Sequence, residues 1–211
     1  KSSAAFPSCV TFKPPERLLM MSHIFGEFIE EFPREHNSLE LSFTSSQLIQ
    51  QQWSNIRISA DFVSDYFLTF LPDELSQERM AEIKNTVSYV GNELLENAIK
   101  FNDESKHCKV KFGICFPDNT EQVTGAIFTK NSVTFPTVKK FKAFLQELLC
   151  NDSQQLYDQQ IEKTTADEYS GDSGLGLLSL INDYSAKLGW KFESEPNTQM
   201  TIVTTMAQII V

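Results

Sequence analysis

The stretch NELLENAIKF, residues 92–101, combines the pattern of a buried helix with two polar residues that such a helix does not need. Leucine, alanine and isoleucine recur at helical spacing, which predicts an amphipathic helix that packs one side against a core. Glu93 and Asn97 are four residues apart, so their side chains project over neighbouring turns of one face. A carboxylate can accept a proton from an attacking hydroxyl, and a carboxamide oxygen can bind Mg²⁺. Taken alone, the stretch is better explained by two exposed side chains, with Glu96 and Lys100 as an i,i+4 ion pair on the helix surface.

A second segment, SGDSGLGLLSLI at residues 170–181, places glycines directly before another predicted helix. Glycine allows a backbone to approach a ligand closely, and the amides at a helix N-terminus favour phosphate. A flexible entry loop would give the same pattern. The order of the two segments along the chain, with two predicted strands between them, is therefore more informative than either segment.

Composition narrows the classes of function. The chain has 211 residues, 41% of them hydrophobic, and a net charge of −10, which favours a globular protein with a real core. An acidic surface repels phosphate backbones and anionic lipid, so nucleic-acid and membrane-surface binding are not expected. The short basic run KKFK, residues 139–142, is interpreted as the solvated face of a helix.

The four cysteines, Cys9, Cys108, Cys115 and Cys150, form no paired motif, which favours free thiols in a reducing compartment. No apolar run approaches the roughly 20 residues that a membrane-spanning helix requires. The sequence therefore predicts a soluble cytoplasmic protein.

The periodicities along the chain predict an α+β fold, because strands that follow one another as hairpins alternate with amphipathic helices. The predicted sheet is mixed but mostly antiparallel, with helices on one face. The predicted elements are a helix at 22–32, a strand at 39–43, helices at 47–71 and 73–101, strands at 109–116 and 122–130, a helix at 138–149, a loop or partly ordered helix at 151–172, a helix at 174–189 closed by Gly189, and strands at 190–195 and 201–211.

These two segments and their order resemble the GHKL superfamily of ATPases and kinases, the histidine kinase-like ATPase domains. ELLENAIKF resembles the N box, and DSGLGLLSL resembles the glycine box that closes the lid over ATP. The resemblance implies a two-layer α/β sandwich of the GHKL (Bergerat) type over residues 39–211. Residues 1–38 are then expected to form an N-terminal extension that packs on this domain or extends it.

The resemblance also implies roles for individual residues around Mg²⁺ and ATP. Glu93 matches the general base and Asn97 the magnesium ligand, while Lys100 matches a position near the phosphates. The residues that match the lid segment are Ser173, Gly174, Leu175 and Gly176.

One box of the superfamily is altered. Where an Asp-x-Gly-x-Gly motif is usual, this chain has FTKNSVTFP, residues 128–136, without aspartate or glycine. Asn131 is the nearest substitute, and its side-chain oxygen can accept a hydrogen bond from the adenine amino group without carrying a charge.

Within the superfamily, the chain most resembles the serine/threonine kinases of the anti-sigma-factor type, in particular the SiaB-like group. The surroundings of His36 do not match a phosphoacceptor histidine box. The resemblance implies a kinase of a bacterial partner-switching system that phosphorylates a STAS-domain antagonist, and it is compatible with a homodimer. Two alternatives stay open: a binding module of the same fold that sequesters a STAS-domain partner or a sigma factor without turnover, and an ATPase or non-protein kinase of another pathway.

Overall fold

The computed structural model describes residues 21–31, 37–44, 49–117, 124–166, 174–195 and 200–211. Six strands and five α-helices lie in these ranges. In chain order they are β1 (Met21–Gly26), β2 (Ser38–Phe43), α1 (Ile49–Leu68), α2 (Gln77–Lys100), β3 (Val110–Cys115), β4 (Thr124–Val133), α3 (Phe135–Cys150), α4 (Ser153–Ala166), α5 (Leu175–Asn182), β5 (Lys187–Glu195) and β6 (Met200–Ile210).

The strands form one sheet in the order β1-β5-β6-β4-β3-β2. Every neighbouring pair among these described strands is antiparallel, including the predicted β3–β4 and β5–β6 pairs. The α+β class is therefore confirmed, and the sheet is antiparallel throughout the described strands rather than mixed.

The core lies between the helices and one face of the sheet. Buried residues of α2 recur every three or four positions, at Val87, Val90, Leu94 and Ala98, as expected for a helix with one packed side. Their partners on the sheet include Phe112, whose ring lies 3.1 Å from where a Cβ on Gly91 would be. This close approach places α2 directly on β3.

α1 packs beside α2 on the same layer. The Ser88 hydroxyl donates a hydrogen bond to Asp61 Oδ1 at 2.6 Å, and Lys84 forms an ion pair with Asp65. These polar contacts lie on the outer side of the helix pair, so the register of α1 against α2 is set by both apolar and polar contacts.

The predicted helix at 22–32 is wrong. Residues 21–26 form the strand β1 instead, with Phe25 beside Trp190 in the ladder and its ring 5.6 Å from that of Phe192. Gly26 then turns the chain with a φ of +64°, which a glycine adopts readily. Phe28 lies beyond this turn in a separate apolar cluster with Met206, so the aromatic residues that suggested one helical stripe belong to two different surfaces.

The predicted extent of the helix at 174–189 is also wrong. α5 ends at Asn182, and Gly189 lies inside β5, paired with Met206, rather than closing a helix. A Cβ on Gly189 would lie 2.5 Å from the backbone nitrogen of Phe28. The glycine thus serves a close crossing of two backbones, which only the tertiary structure reveals.

The stretch predicted as a loop or partly ordered helix contains a full helix, α4, between residues 153 and 166. Its side chains contact α5: the Ser153 hydroxyl donates to Asn182 Oδ1 at 2.6 Å, and Asn182 Nδ2 donates to the Ser153 carbonyl at 3.2 Å. This reciprocal pair fixes the start of α4 against the end of α5.

Candidate functional site

A cavity of about 520 Å³ lies between α2, α3, the N-terminal end of α5 and the helix-covered face of β4 and β6. Its volume is in the range of small-molecule binding sites. The cavity brings together six of the residues predicted from the sequence: Glu93, Asn97, Lys100, Asn131, Gly174 and Gly176. Leu175 begins α5 beside them without lining the cavity, and Ser173 lies outside the described residues.

Glu93 and Asn97 of α2 line the cavity because they lie next to the buried face of this helix. Leu94 and Ala98, the next residue in each case, are buried in the core and lie at the same cavity wall. Glu93 and Asn97 themselves are half-buried. The polar pair therefore sits where a packed helix face meets an open space.

α5 approaches this pair with its first turn. A Cβ on Gly176 would overlap Glu93 Oε2 and would lie 3.9 Å from Asn97 Nδ2. Residue 176 has ordinary helical geometry in α5, so a side chain there would meet the movable end of the Glu93 side chain rather than backbone strain. The first turn of α5 thus faces the carboxylate and the carboxamide of α2.

Gly174 has a different reason to be glycine. It is the N-cap of α5 with a φ of +66°, and a Cβ there would lie 2.8 Å from the ring of Phe144. A side chain would be strained by the backbone conformation and obstructed by the ring. The contact places α3 directly against the start of α5.

The surroundings of Glu93 disfavour its charge. Burial raises the pKa of Glu93 above its ordinary value, and the neighbouring Glu96 carboxylate raises it further. A raised pKa makes the carboxylate a stronger proton acceptor at neutral pH, as long as it is ionised.

Asn131 lies within β4, not in a loop after it. Its side chain is 5% exposed and faces the cavity, beside Val203 of the paired strand. Its Nδ2 donates to the Ser132 carbonyl at 3.3 Å, which leaves the side-chain oxygen as the acceptor toward a ligand. The altered box is therefore a regular strand end, followed directly by α3.

The end of α2 is tied to this strand. Asn102 Oδ1 accepts hydrogen bonds from the Ser132 backbone amide at 3.1 Å and the Ser132 hydroxyl at 3.0 Å, and the Asp103 amide donates to the Ser132 carbonyl at 2.8 Å. These bonds join the segment that follows α2 to the part of β4 that carries Asn131.

Sequence reasoning missed the wall that α3 supplies. Thr137, Lys140, Phe141 and Phe144 line the cavity, at the three-, four- and seven-residue spacing of one helix face. From β6, Val203 and Thr205 complete the floor. The helical spacing was available in the sequence, but it is the same spacing that any core-facing helix shows.

The residues present fit a magnesium ion that is bound partly by its ligand. Within the described residues, no group of three or more histidine, cysteine, aspartate or glutamate side chains comes together as a metal site. The cavity offers the oxygens of Glu93 and Asn97, a donor set that suits Mg²⁺ held by one or two protein ligands with phosphate and water oxygens. A Cβ at residue 176 would obstruct the space beside Glu93 and Asn97, so the glycine there is consistent with a metal site at these two side chains.

In the described part of the chain, no helix has both the length and the apolar character that crossing a membrane demands.

Comparison with known proteins shows similarity in structure but none in sequence. No protein-family model matches the sequence, and no curated protein matches it. A chain in the crystal structure of the SiaB–SiaC complex from Pseudomonas aeruginosa matches with a TM-score of 0.51 and 14% sequence identity, over 80% of this chain and 89% of that chain. The protein therefore shares its fold with a chain of a complex that contains SiaB, in line with the resemblance noted in the sequence.

Proposed function

We propose that this protein is an ATP-dependent serine/threonine kinase of the partner-switching type, with its nucleotide in the cavity between α2, α3 and α5. We further propose that its sheet and helices form the nucleotide-binding sandwich of the GHKL superfamily. The observation that supports the proposal is the meeting of Glu93, Asn97 and Gly176, from segments about 80 residues apart, in one cavity of suitable size. The shared fold with a chain of a two-protein complex supports a protein partner, for which we propose a STAS-domain antagonist.

In this proposal each wall has one task. Asn97 would hold the magnesium ion through its carboxamide oxygen, and the first turn of α5 at Gly176 would lie close to the phosphate oxygens. Bound Mg-ATP would supply the γ-phosphoryl group, with ADP as the leaving group, and the magnesium charge would offset the negative charge on the phosphates. Glu93 accepts the proton of the partner's hydroxyl, and Asn131 accepts a hydrogen bond from the adenine amino group through its oxygen. Lys100, which lines the cavity, would add a phosphate contact, and the resemblance assigns Ser173, outside the described residues, to the same group.

A binding module without turnover is the second candidate. One observation favours it: Asn131 offers an uncharged acceptor where an aspartate is usual in the GHKL superfamily. In that case the protein captures a STAS-domain partner or a sigma factor through its surface, and the cavity contributes no chemistry.

Phosphoryl transfer to a STAS-domain partner separates the two candidates. Radiolabelled ATP is incubated with the partner and the wild-type protein, Glu93→Gln or Glu96→Gln. Glu96 is the matched control, because it is a half-buried acid on the same helix that does not line the cavity, and it acts on Glu93 only by raising the pKa of that carboxyl through its charge. A kinase gives transfer with the wild type and with Glu96→Gln, and a loss of about 100-fold or more with Glu93→Gln, the usual size of a general-base effect.

Calorimetry with Mg-ATP completes the test. Binding by both the wild type and Glu93→Gln, with no transfer by either, supports the binding module. An absence of binding at millimolar nucleotide contradicts every assignment of the cavity to ATP.

A further inference from the structure

The three lysines of residues 139–142 occupy three different environments on α3. Lys139 is exposed and does not line the cavity. Lys142 is half-buried, with its ammonium 4.8 Å from the centroid of the Phe192 ring, and burial lowers the pKa of this lysine. Lys140 alone of the three lines the cavity. Similar residues, adjacent in sequence, are thus separated by the helical rotation of about 100° per residue.

The Lys140 ammonium is available to a ligand. Across the ranges that the structure describes, Lys140 takes part in no ion pair, hydrogen bond or ring contact, whereas lysines such as Lys84, Lys111 and Lys187 are paired with acids. The Lys140 side chain is exposed at the rim of the cavity. In the free protein its charge is therefore solvated, and no unpaired charge is buried.

The charges of the cavity favour an anion. Among its lining residues, Glu93 is the acid, and Lys100 and Lys140 are the bases, which makes the cavity formally positive in a protein with a net charge of −10. Lys100 is the last residue of α2, about two turns beyond Glu93, and Lys140 belongs to α3, so the two bases and the acid come from different parts of the cavity wall.

An anion with several charges fits this arrangement. A ligand whose metal is held at Asn97 and whose phosphate chain extends toward α3 would meet Lys140 on the wall facing α2. Lysine binds phosphate as a flexible point charge, and its long side chain tolerates a range of phosphate positions.

We propose that Lys140 is a phosphate-binding residue supplied by α3, which makes the affinity of the cavity depend on the number of phosphates in the nucleotide. This inference rests on the proposed nucleotide-binding function. The residues assigned to phosphate from the sequence come from α2 and the start of α5, so Lys140 adds a phosphate contact from a third helix, α3.

The test is calorimetry of Mg-ATP, ADP and AMP with the wild type, Lys140→Gln and Lys139→Gln. Lys139→Gln is the matched control, since it removes the same charge from the same helix at a residue that faces solvent. For Lys140→Gln we expect about a tenfold loss of Mg-ATP affinity, a smaller loss for ADP and little change for AMP, the size expected for one charge-assisted contact. Lys139→Gln should leave all three affinities within about twofold, and Lys140→Arg should retain most of the ATP affinity.

Each outcome has a separate meaning. Equal losses of affinity in Lys140→Gln and Lys139→Gln would show only a general effect of net charge and would overturn the inference. An unchanged Mg-ATP affinity in Lys140→Gln would also overturn it, while leaving the proposed nucleotide site intact. If the wild type binds none of the three nucleotides, the proposed function fails together with the inference.

Discussion

The two walls of the cavity differ in how the chain encodes them. On the α2–α5 side, Glu93, Asn97 and Gly176 stand out locally, because acids, carboxamides and glycines are unusual beside the apolar residues of packed helices. On the opposite side, Asn131 lies within an ordinary strand and Lys140 belongs to an ordinary amphipathic helix. The comparison shows that a site can be recognised from sequence only where its residue types conflict with the needs of the element that carries them.

The largest effect on stability is expected from Gly174→Ala, at the junction of the two walls. The left-handed backbone and the Phe144 ring both oppose a side chain at residue 174, so we expect a loss of about 2 to 3 kcal/mol in the free energy of unfolding. Urea denaturation measures this loss. A loss close to zero would mean that α5 begins without its contact to α3.

Asn131→Asp probes the floor of the cavity on the α3 side. The substitution removes the hydrogen bond to the Ser132 carbonyl and buries a carboxylate beside that oxygen, so the nucleotide-free protein should lose about 2 kcal/mol of stability. If Asn131 recognises adenine, the same variant should keep or tighten the affinity for Mg-ATP, and Asn131→Ala should weaken it. Unchanged affinity in Asn131→Ala, measured by calorimetry, would remove Asn131 from the nucleotide site.

Gly176→Ala probes the α2–α5 wall, where the obstruction is the end of a flexible side chain. We expect a change in stability below about 1 kcal/mol, because the better helix propensity of alanine offsets the displacement of the Glu93 carboxylate. In a Glu93→Ala background, Gly176→Ala should instead stabilise the protein by up to about 1 kcal/mol. Denaturation of the four proteins of this double-mutant cycle gives the coupling, and a coupling of zero would contradict the contact between Glu93 and Gly176.

The smallest effect is the pH dependence of stability that Glu93 contributes. Because its folded-state pKa is raised, the folded protein holds this proton more tightly than the unfolded chain, and stability falls as the pH rises through that pKa. Glu93→Gln removes this dependence, so the variant should be more stable than the wild type at neutral pH. The difference should fade as the pH falls below the ordinary glutamate range. Thermal unfolding between acid and neutral pH measures it, with solvent screening keeping the effect small. A wild type that is the more stable of the two at neutral pH would show that the carboxylate has a favourable partner.

Much of the fold was accessible from local patterns. The β3–β4 and β5–β6 pairs and α1 to α3 were expected close to their observed positions, because their hydrophobic periods are long and regular. β1 was not, since Phe25 and Phe28 share helical spacing although they pack on opposite surfaces of the sheet. The role of Gly189 was missed for a related reason: its neighbour in space, Phe28, is 161 residues away in the chain.

By itself, the sequence determined the α+β class and the presence of a carboxylate and a carboxamide on one side of a packed helix. Those properties follow from spacing within single elements, which local steric rules decide. Only the tertiary structure decided that Gly176 lies against Glu93, that Asn131 faces the same cavity from within a strand, and that Lys140 rather than Lys139 or Lys142 points into it. These facts depend on how elements distant in sequence pack together, and that packing is a property of the whole core.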